Sequence, residues 1–348
     1  MKGLILAGGS GRRLRPLTHT SAKQLVPIAN VPILHYVVAD LVGVGITDIG
    51  IVVGDTAAEV MASIGDGSRW GAKVTYIAQD RPLGLAHAVV VAGPFLGDEP
   101  FAMYLGDNMF EDSLDGVVDG FDGSTAARLL LARVDDPSAF GVADVAPDGT
   151  IVGLAEKPEE PASDLALVGV YLFGPRIHEA VRAIEPSARG ELEITDAIQW
   201  LLDAGEVVEH RVLEGWWIDT GKKDPLLECN RLVLDRLGGD GVVVDGDAEV
   251  VDSTLVGPVV VAAGARISGS TVGPYVAVGA RCAIEGSTVE HSVLMDGAVV
   301  SDLDRLTGSV LGRSAEVTGS RGDQVDLSVL LGDHSVVDAR SSEGGTGG

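Results

Sequence analysis

The stretch LILAGGSGRRLRPLT, residues 4–18, runs an apolar strand straight into three glycines and then sets three arginines within four positions. It does so in a chain of 348 residues with 51 acidic and 25 basic side chains, a formal charge of −26. The cations are segregated. No Asp or Glu precedes Asp40, whereas Lys2, Arg12, Arg13, Arg15 and Lys23 all do. A strand that ends in a glycine turn ahead of a helix aims main-chain N–H groups at one point, which suits phosphate oxygens. The opening of the chain is therefore a cationic island that favours an anionic ligand.

Working outward, GLILA (3–7), IGIVV (49–53), KVTYIA (73–78), FAMYL (101–105) and ARLLLARV (127–134) are short apolar runs bounded by Gly, Asp or Pro. They read as strands buried on both faces, as in a parallel sheet. Between them, VPILHYVVADLVGVG has Pro32 near a helix start and glycines at its close, and TDAIQWLLDAG (195–205) has a Thr/Asp start and a Gly stop. This alternation predicts an α/β fold with a Rossmann-like, doubly wound sheet. GVADVAPDGTIVGLAEKP (141–158) interrupts it with two short strands around a Pro-Asp-Gly turn, a late hairpin.

From about residue 242 helical periodicity disappears. Leu255, Val261 and Ile267 are six apart, as are Val272, Val278 and Ile284, and then Val293 and Val299. A six-residue apolar period predicts a left-handed parallel β-helix, with one-residue slips at its corners. At 348 residues two domains are expected. The first covers 1–237, ending in a connecting helix GKKDPLLECNRLVLDRL (221–237). Hexapeptide-like repeats cover 242–338, and a disordered tail 339–348.

Cys229 and Cys282 are too few for a disulfide framework and lack metal-ligand spacing, so they read as buried thiols of a reducing cytoplasm. The apolar runs are too short to span a bilayer. Met1-Lys2-Gly3 enters a strand without the apolar stretch of a secretory signal. A cytoplasmic chain with no membrane partner is expected. The net charge argues equally against nucleic acid.

Three nucleotide-binding motifs compete for the glycine loop. A P-loop needs GxxxxGK[ST], which is absent. A dinucleotide fingerprint needs GxGxxG and a later acid, but Leu14 stands at the third glycine and no acid precedes Asp40. What remains is Gly-Gly-x-Gly with arginines beyond it and Lys23 further on. That arrangement supplies main-chain donors for a triphosphate and cations for a leaving pyrophosphate.

LAGGSGRRLRPLT…AKQLVPI resembles the signature (L)AGGxGTRLxPxT…K…P of the sugar-1-phosphate nucleotidylyltransferases. GLAHA (84–88), YLGDNMF (104–110), EKP (156–158), SARGELEITD (187–196) and WIDTG (217–221) follow in the order of the glucose-1-phosphate thymidylyltransferase branch, over roughly residues 1–237. The C-terminal repeats resemble its long form. The resemblance implies Mg²⁺-dependent transfer of a nucleoside monophosphate from dTTP or UTP to glucose-1-phosphate, releasing pyrophosphate.

It also implies roles for individual residues. Arg13 and Lys23 grip the triphosphate and stabilise the transition state. Leu6, Gly8, Gly9, Gly11, Gln79, Gly84 and Asp107 complete the nucleotide site, with Gln79 reading the pyrimidine edge. Asp107 and Asp219 share the Mg²⁺. Asn108, Gly141, Glu156, Lys157, Gly169, Tyr171 and Arg189 hold the sugar and its phosphate, and Lys157 is counted among the catalytic groups. Arg12 departs from the motif's threonine, and Phe140 stands where many relatives carry tyrosine. Trp216 and Trp217 read as packing that orients the Asp219 segment.

Other readings stay open at this stage. The sugar could be N-acetylglucosamine-1-phosphate or mannose-1-phosphate. His291 or His334 could serve an acyltransferase in the repeats, although an oligomerisation or regulatory role ranks above it. A non-catalytic subunit that binds nucleotide sugar has no need of the two carboxylates. A homo-oligomer is expected.

Overall fold

The computed structural model describes residues 1–9, 11–238, 241–322 and 326–340, and the chain falls into two compact units. One comprises Met1–Ser10 with Ile33–Asp219, the other Gly11–Pro32 with Thr220–Gly348. The cationic stretch after the glycines thus groups with the C-terminal part of the chain. Reading the sequence as one continuous first domain does not anticipate this.

The first unit is built on a nine-stranded sheet. Its parallel part runs in the order Phe101–Leu105, Lys2–Leu6, Asp48–Val53, Lys73–Ala78. The opening strand is therefore central, with Leu4 and Ile5 at 0% exposure. Helices Ile33–Gly43 and Leu85–Leu96 bury Val37, Val38 and Leu41, and Ala86, Val89 and Leu96 respectively. These are the apolar stripes that a crossover helix must cover.

The structure adds to one strand reading and corrects another. Ala127–Arg133 keeps the direction of the parallel strands and pairs parallel with Val208–Val212, but Leu165–Phe173, antiparallel to both, lies between it and Phe101–Leu105. A continuous apolar run reports burial on both faces but not which strand lies beside it. Lys73–Ala78 is half-exposed because it closes one side of the sheet. The hairpin forms as read. Gly141–Val145 pairs with Ile151–Glu156, and the Asp148 carboxylate accepts the Thr150 N–H at 3.0 Å in the turn. Gly141 and Glu156 face each other at its open end.

In the second unit, three sheets of short parallel strands wind into the left-handed β-helix, from Val242–Val244 to Val336–Asp338. Val242 opposes Val259, and Val259 opposes Val276, seventeen residues on each time. The coil is one residue short of three sixes. Thr254–Leu255 and Thr271–Val272, strands of only two residues, mark the shortened face. Ile267, Val272, Val278 and Ile284 point inward at 0–1% exposure. The last pair of the repeat is corrected by one position. Leu294 and Val300, both 0% exposed, lie in the inner core, whereas Val293, equally buried, and the half-buried Val299 lie outside that cluster. Adjacent apolar residues give a period nothing with which to choose between them, and successive residues of a strand point to opposite faces.

The helix expected at 221–237 spans Lys223–Leu234. Residues 341–348 of the expected tail lie outside the described residues. Among the described residues no helix is long and apolar enough to cross a membrane. Cys229 and Cys282 are both buried, and burial above all pushes each thiol up to about 12. Because the thiolate is the reactive form, neither cysteine should react with a disulfide-exchange reagent until the chain is denatured. Rapid labelling of a native thiol at mildly alkaline pH would contradict this placement.

Candidate active site

The strand Lys2–Leu6 delivers the glycines to the carboxyl edge of the sheet, where open α/β folds bind ligands. The Leu6 carbonyl accepts the Gly106 N–H at 3.0 Å, which ties the glycine loop to the segment carrying Asp107. A Cβ on Gly8 would lie 3.4 Å from Gln79 Oε1, and a Cβ on Gly54 only 3.0 Å from the Gly8 carbonyl. Gly9 is exposed. The Gln79 side-chain nitrogen lies 2.9 Å from His87 Nδ1 and 3.4 Å from the Gly84 carbonyl. Gly8, Gln79 and Gly84 are therefore brought together.

Gly84 has φ +107°, and a Cβ there would stand 2.3 Å from the Leu192 carbonyl oxygen. Only glycine fits. Around it the Leu192 N–H donates to Leu83 O at 2.7 Å, and the Ala86 N–H donates to Leu192 O at 3.1 Å. This clasp joins the loop ahead of helix Leu85–Leu96 to the SARGELEITD segment.

Asp107 follows the strand Phe101–Leu105, is 7% exposed, and is followed by the short strand Asn108–Phe110. That strand pairs antiparallel with Trp217–Asp219, so that Asp219 faces Asn108 and sits one position from Asp107 across the ladder. Two acidic residues far apart in sequence thus become neighbours in the ladder. Among the described residues no group of three or more His, Cys, Asp or Glu could cage a metal. A pair of carboxylate oxygens is instead the donor set Mg²⁺ accepts, because it keeps several waters and takes phosphate oxygens for the rest of its shell. The residues present fit that ion.

Asn108, 3% exposed, fills the space over Gly169, where a Cβ would come within 2.5 Å of its Oδ1. Trp217 Nε1 donates to the same Oδ1 at 2.6 Å, and its ring meets Phe140 edge-on at 5.2 Å. The Phe140 carbonyl accepts the Lys157 N–H at 2.9 Å. Trp217 therefore does more than pack: it links the carboxylate pair to the sugar-phosphate candidates.

Those candidates form one polar cluster. Glu156 Oε1 pairs with Lys157 Nζ at 3.2 Å and Arg189 Nη2 at 3.0 Å, while its Oε2 accepts the Thr195 hydroxyl at 2.7 Å. A Cβ on Gly141 would press on Thr195 Oγ1 at 2.9 Å. Glu193, 5% exposed, accepts from Ser187 at 2.7 Å and Arg189 at 2.8 Å. Asp196 is held above the ordinary carboxylate range by burial, then by the charges of Glu193 and Glu156. Tyr171 is placed differently. It is 4% exposed within the core and stacked on Phe173 at 6.0 Å, and burial followed by the Glu156 charge raises its hydroxyl far above the usual value.

Glu193, Thr195 and His87 are partners that sequence reasoning passed over, although SARGELEITD and GLAHA contain them. For Glu193 the usable signal is a charged residue set between the apolar Leu192 and Ile194. Gly11, Arg13 and Lys23 belong to the other unit. There Gly11 takes φ +59°, with the Arg12–Leu14 turn immediately after it. A Cβ on Gly11 would touch Thr18 Cγ2 at 2.8 Å and Lys23 Cβ at 3.1 Å. His291 and His334 sit exposed at coil corners in the left-handed region, and His291 packs on Tyr275 at 5.0 Å.

Comparison with known proteins gives the family. The profile of the Nucleotidyl transferase family matches residues 2–236. A glucose-1-phosphate thymidylyltransferase of Streptomyces antibioticus is 51% identical over 98% of this chain and 100% of its own length. That of Streptomyces griseus is 50% identical over 96% and 98%. A Bacillus anthracis protein assigned as a glucose-1-phosphate thymidylyltransferase and crystallised with sucrose is 38% identical, with a TM-score of 0.64. It matches 69% of this chain and 97% of its own. The chain belongs to the nucleotidyl transferase family and, within it, to the glucose-1-phosphate thymidylyltransferases.

Proposed function

We propose that the protein transfers a thymidylyl group from dTTP, or a uridylyl group from UTP, to glucose-1-phosphate. A phosphate oxygen of the sugar attacks the α-phosphorus, the bond to the β-phosphate breaks, and pyrophosphate leaves. Two polyanions must meet in line, so the residues' task is alignment and charge compensation, without a covalent intermediate. The observation that carries this reading is the side-by-side placement of Asp107 and Asp219 beside Asn108 and Gly169.

Gly8, Gly9 and Gly11 offer main-chain N–H groups to the triphosphate, and Arg13 and Lys23 are its cations. Gln79, braced by His87 and Gly84, presents an amide that both donates and accepts to the pyrimidine edge. Lys157 and Arg189 lie against Glu156 and Glu193 in the free protein. An arriving sugar phosphate draws on the same two cations, leaving Glu156 able to accept a sugar hydroxyl. Mg²⁺, held by Asp107 and Asp219, would supply charge neutralisation at the phosphates.

The test pairs a panel of triphosphates with a panel of sugar-1-phosphates and follows pyrophosphate release with Mg²⁺ present. Turnover with dTTP and glucose-1-phosphate is expected, and thymine and uracil, one methyl apart, should differ by no more than about 200-fold. If no combination releases pyrophosphate, the reading fails. If only another sugar-1-phosphate is turned over, the sugar assignment fails and the chemistry stands.

A further inference from the structure

The segment Gly11–Pro32, which carries Arg13 and Lys23, is seated within its unit on the β-helix by specific polar contacts. The carboxylate of Asp333, its side chain 6% exposed, lies just past the coil strand Leu330–Leu331. Its Oδ2 accepts the Thr20 hydroxyl at 2.9 Å and the Ser21 hydroxyl at 3.3 Å. Its Oδ1 accepts the Arg313 N–H at 2.8 Å. Next to it, a Cβ on Gly332 would lie 3.0 Å from the Pro16 carbonyl, so the main chains approach closely there. At the other end of the segment Asn30 Nδ2 donates to Val278 O at 2.8 Å, and the Ala29 N–H donates to Asn230 Oδ1 at 2.8 Å.

Inside the segment the packing is dense. Leu14, Leu17, Ala22, Val26 and Ile28 are at 0–1% exposure. Gly11 is held against both Thr18 and Lys23, and the Thr18 hydroxyl donates to Gly11 O at 2.7 Å. A displacement at Thr20 and Ser21 is therefore carried to Lys23 on one side and to the Arg12–Leu14 turn on the other. Interiors packed in this way transmit strain and do not absorb it.

We propose that Asp333 is a positioning residue for the transfer reaction: from the β-helix it fixes the segment that presents Arg13 and Lys23 to the triphosphate. The proposal rests on the reading of those two cations given above. The β-helix then contributes to nucleotide affinity without touching nucleotide. The sugar-phosphate candidates Glu156, Lys157 and Arg189 belong to the other unit.

Replacing Asp333 by Ala leaves two hydroxyls and one main-chain N–H without their acceptor. The KM for dTTP should rise about tenfold or more, as expected for loss of hydrogen bonds to a charged group. The KM for glucose-1-phosphate should stay at its wild-type value. Asp333→Asn, which keeps one acceptor oxygen, should recover part of the loss. Thr20→Val with Ser21→Ala removes the same bonds from the other side, so it should reproduce the effect, and adding Asp333→Ala to it should change little further. This second variant also decides the matter if Asp333→Ala fails to fold.

Unchanged dTTP KM in both variants, or equal rises in both KM values with a falling melting temperature, would overturn the proposal. Lys23→Ala separates it from the reading beneath it. If Lys23→Ala leaves dTTP binding intact, the cation assignment itself is wrong. If it abolishes binding while the Asp333 variants behave as wild type, only the positioning role is lost.

Discussion

Asp107→Asn is expected to lower kcat by about a thousandfold or more, since a metal-bound carboxylate supports several kcal/mol of transition-state charge stabilisation. The substitution is isosteric, and the 3.4 Å contact from Asn108 Nδ2 to the oxygen at position 107 can persist. Asp219 sits one position away across the ladder. Neutralising one of two neighbouring carboxylates relieves repulsion, so the melting temperature should hold or rise. Thermal denaturation and pyrophosphate release measured on the same preparation separate the two effects. A manganese titration followed by electron paramagnetic resonance in the presence of dTTP should show weaker metal binding. Turnover near the wild-type rate would remove Asp107 from the metal site. Lost turnover accompanied by unfolding would make its role structural.

Gly84→Ala should be the most damaging single change in the loop that faces the candidate base reader. The added methyl meets Leu192 main-chain atoms at 2.3 and 2.7 Å, and main chain cannot step aside as a flexible side chain can. At φ +107° an L-residue is strained before any contact is counted. Strain and overpacking together predict a loss of about 3 kcal/mol, or roughly 6–12 °C in the melting transition. The two hydrogen bonds between Leu83, Ala86 and Leu192 must also open, which frees Gln79 from the Gly84 carbonyl. A rise in dTTP KM should therefore accompany the fall in stability. A variant with wild-type melting and wild-type KM would show that the clasp is dispensable.

The outline of the fold is readable because its strands are either fully buried or strictly repetitive. GLILA and IGIVV are apolar throughout since both faces of the sheet are covered, and the β-helix announces itself through Ile267, Val272, Val278 and Ile284. The neighbour of a strand is not written in such runs, which is why the antiparallel Leu165–Phe173 between Phe101–Leu105 and Ala127–Arg133 is not anticipated. Likewise the pairs Val293-Leu294 and Val299-Val300 offer two equally apolar faces, and only packing selects Leu294 and Val300. At the site, carboxylates in short motifs stand out, and the pairing of Asn108–Phe110 with Trp217–Asp219 accounts for why two distant motifs belong together. Buried polar partners are harder to see. Glu193 and Thr195 matter through Arg189 and Glu156, and that relation exists only once the chain is folded. The docking of Gly11–Pro32 is of the same kind, because Thr20 and Asp333 are 313 positions apart.

That docking constrains the β-helix in a way its repeats alone do not. In most solenoids each repeat touches only its neighbours, so turns can be gained or lost at little cost. Here Asn30 is tied at Val278 and Thr20 beside Leu331, rungs of one ladder linked through Leu294 and Leu311. Three rungs at roughly 4.8 Å each span about 14 Å. Removing one would leave Asp333 about 4.8 Å out of reach, farther than any hydrogen bond stretches. The number of turns is thus a ruler, cut to the length of the segment it measures.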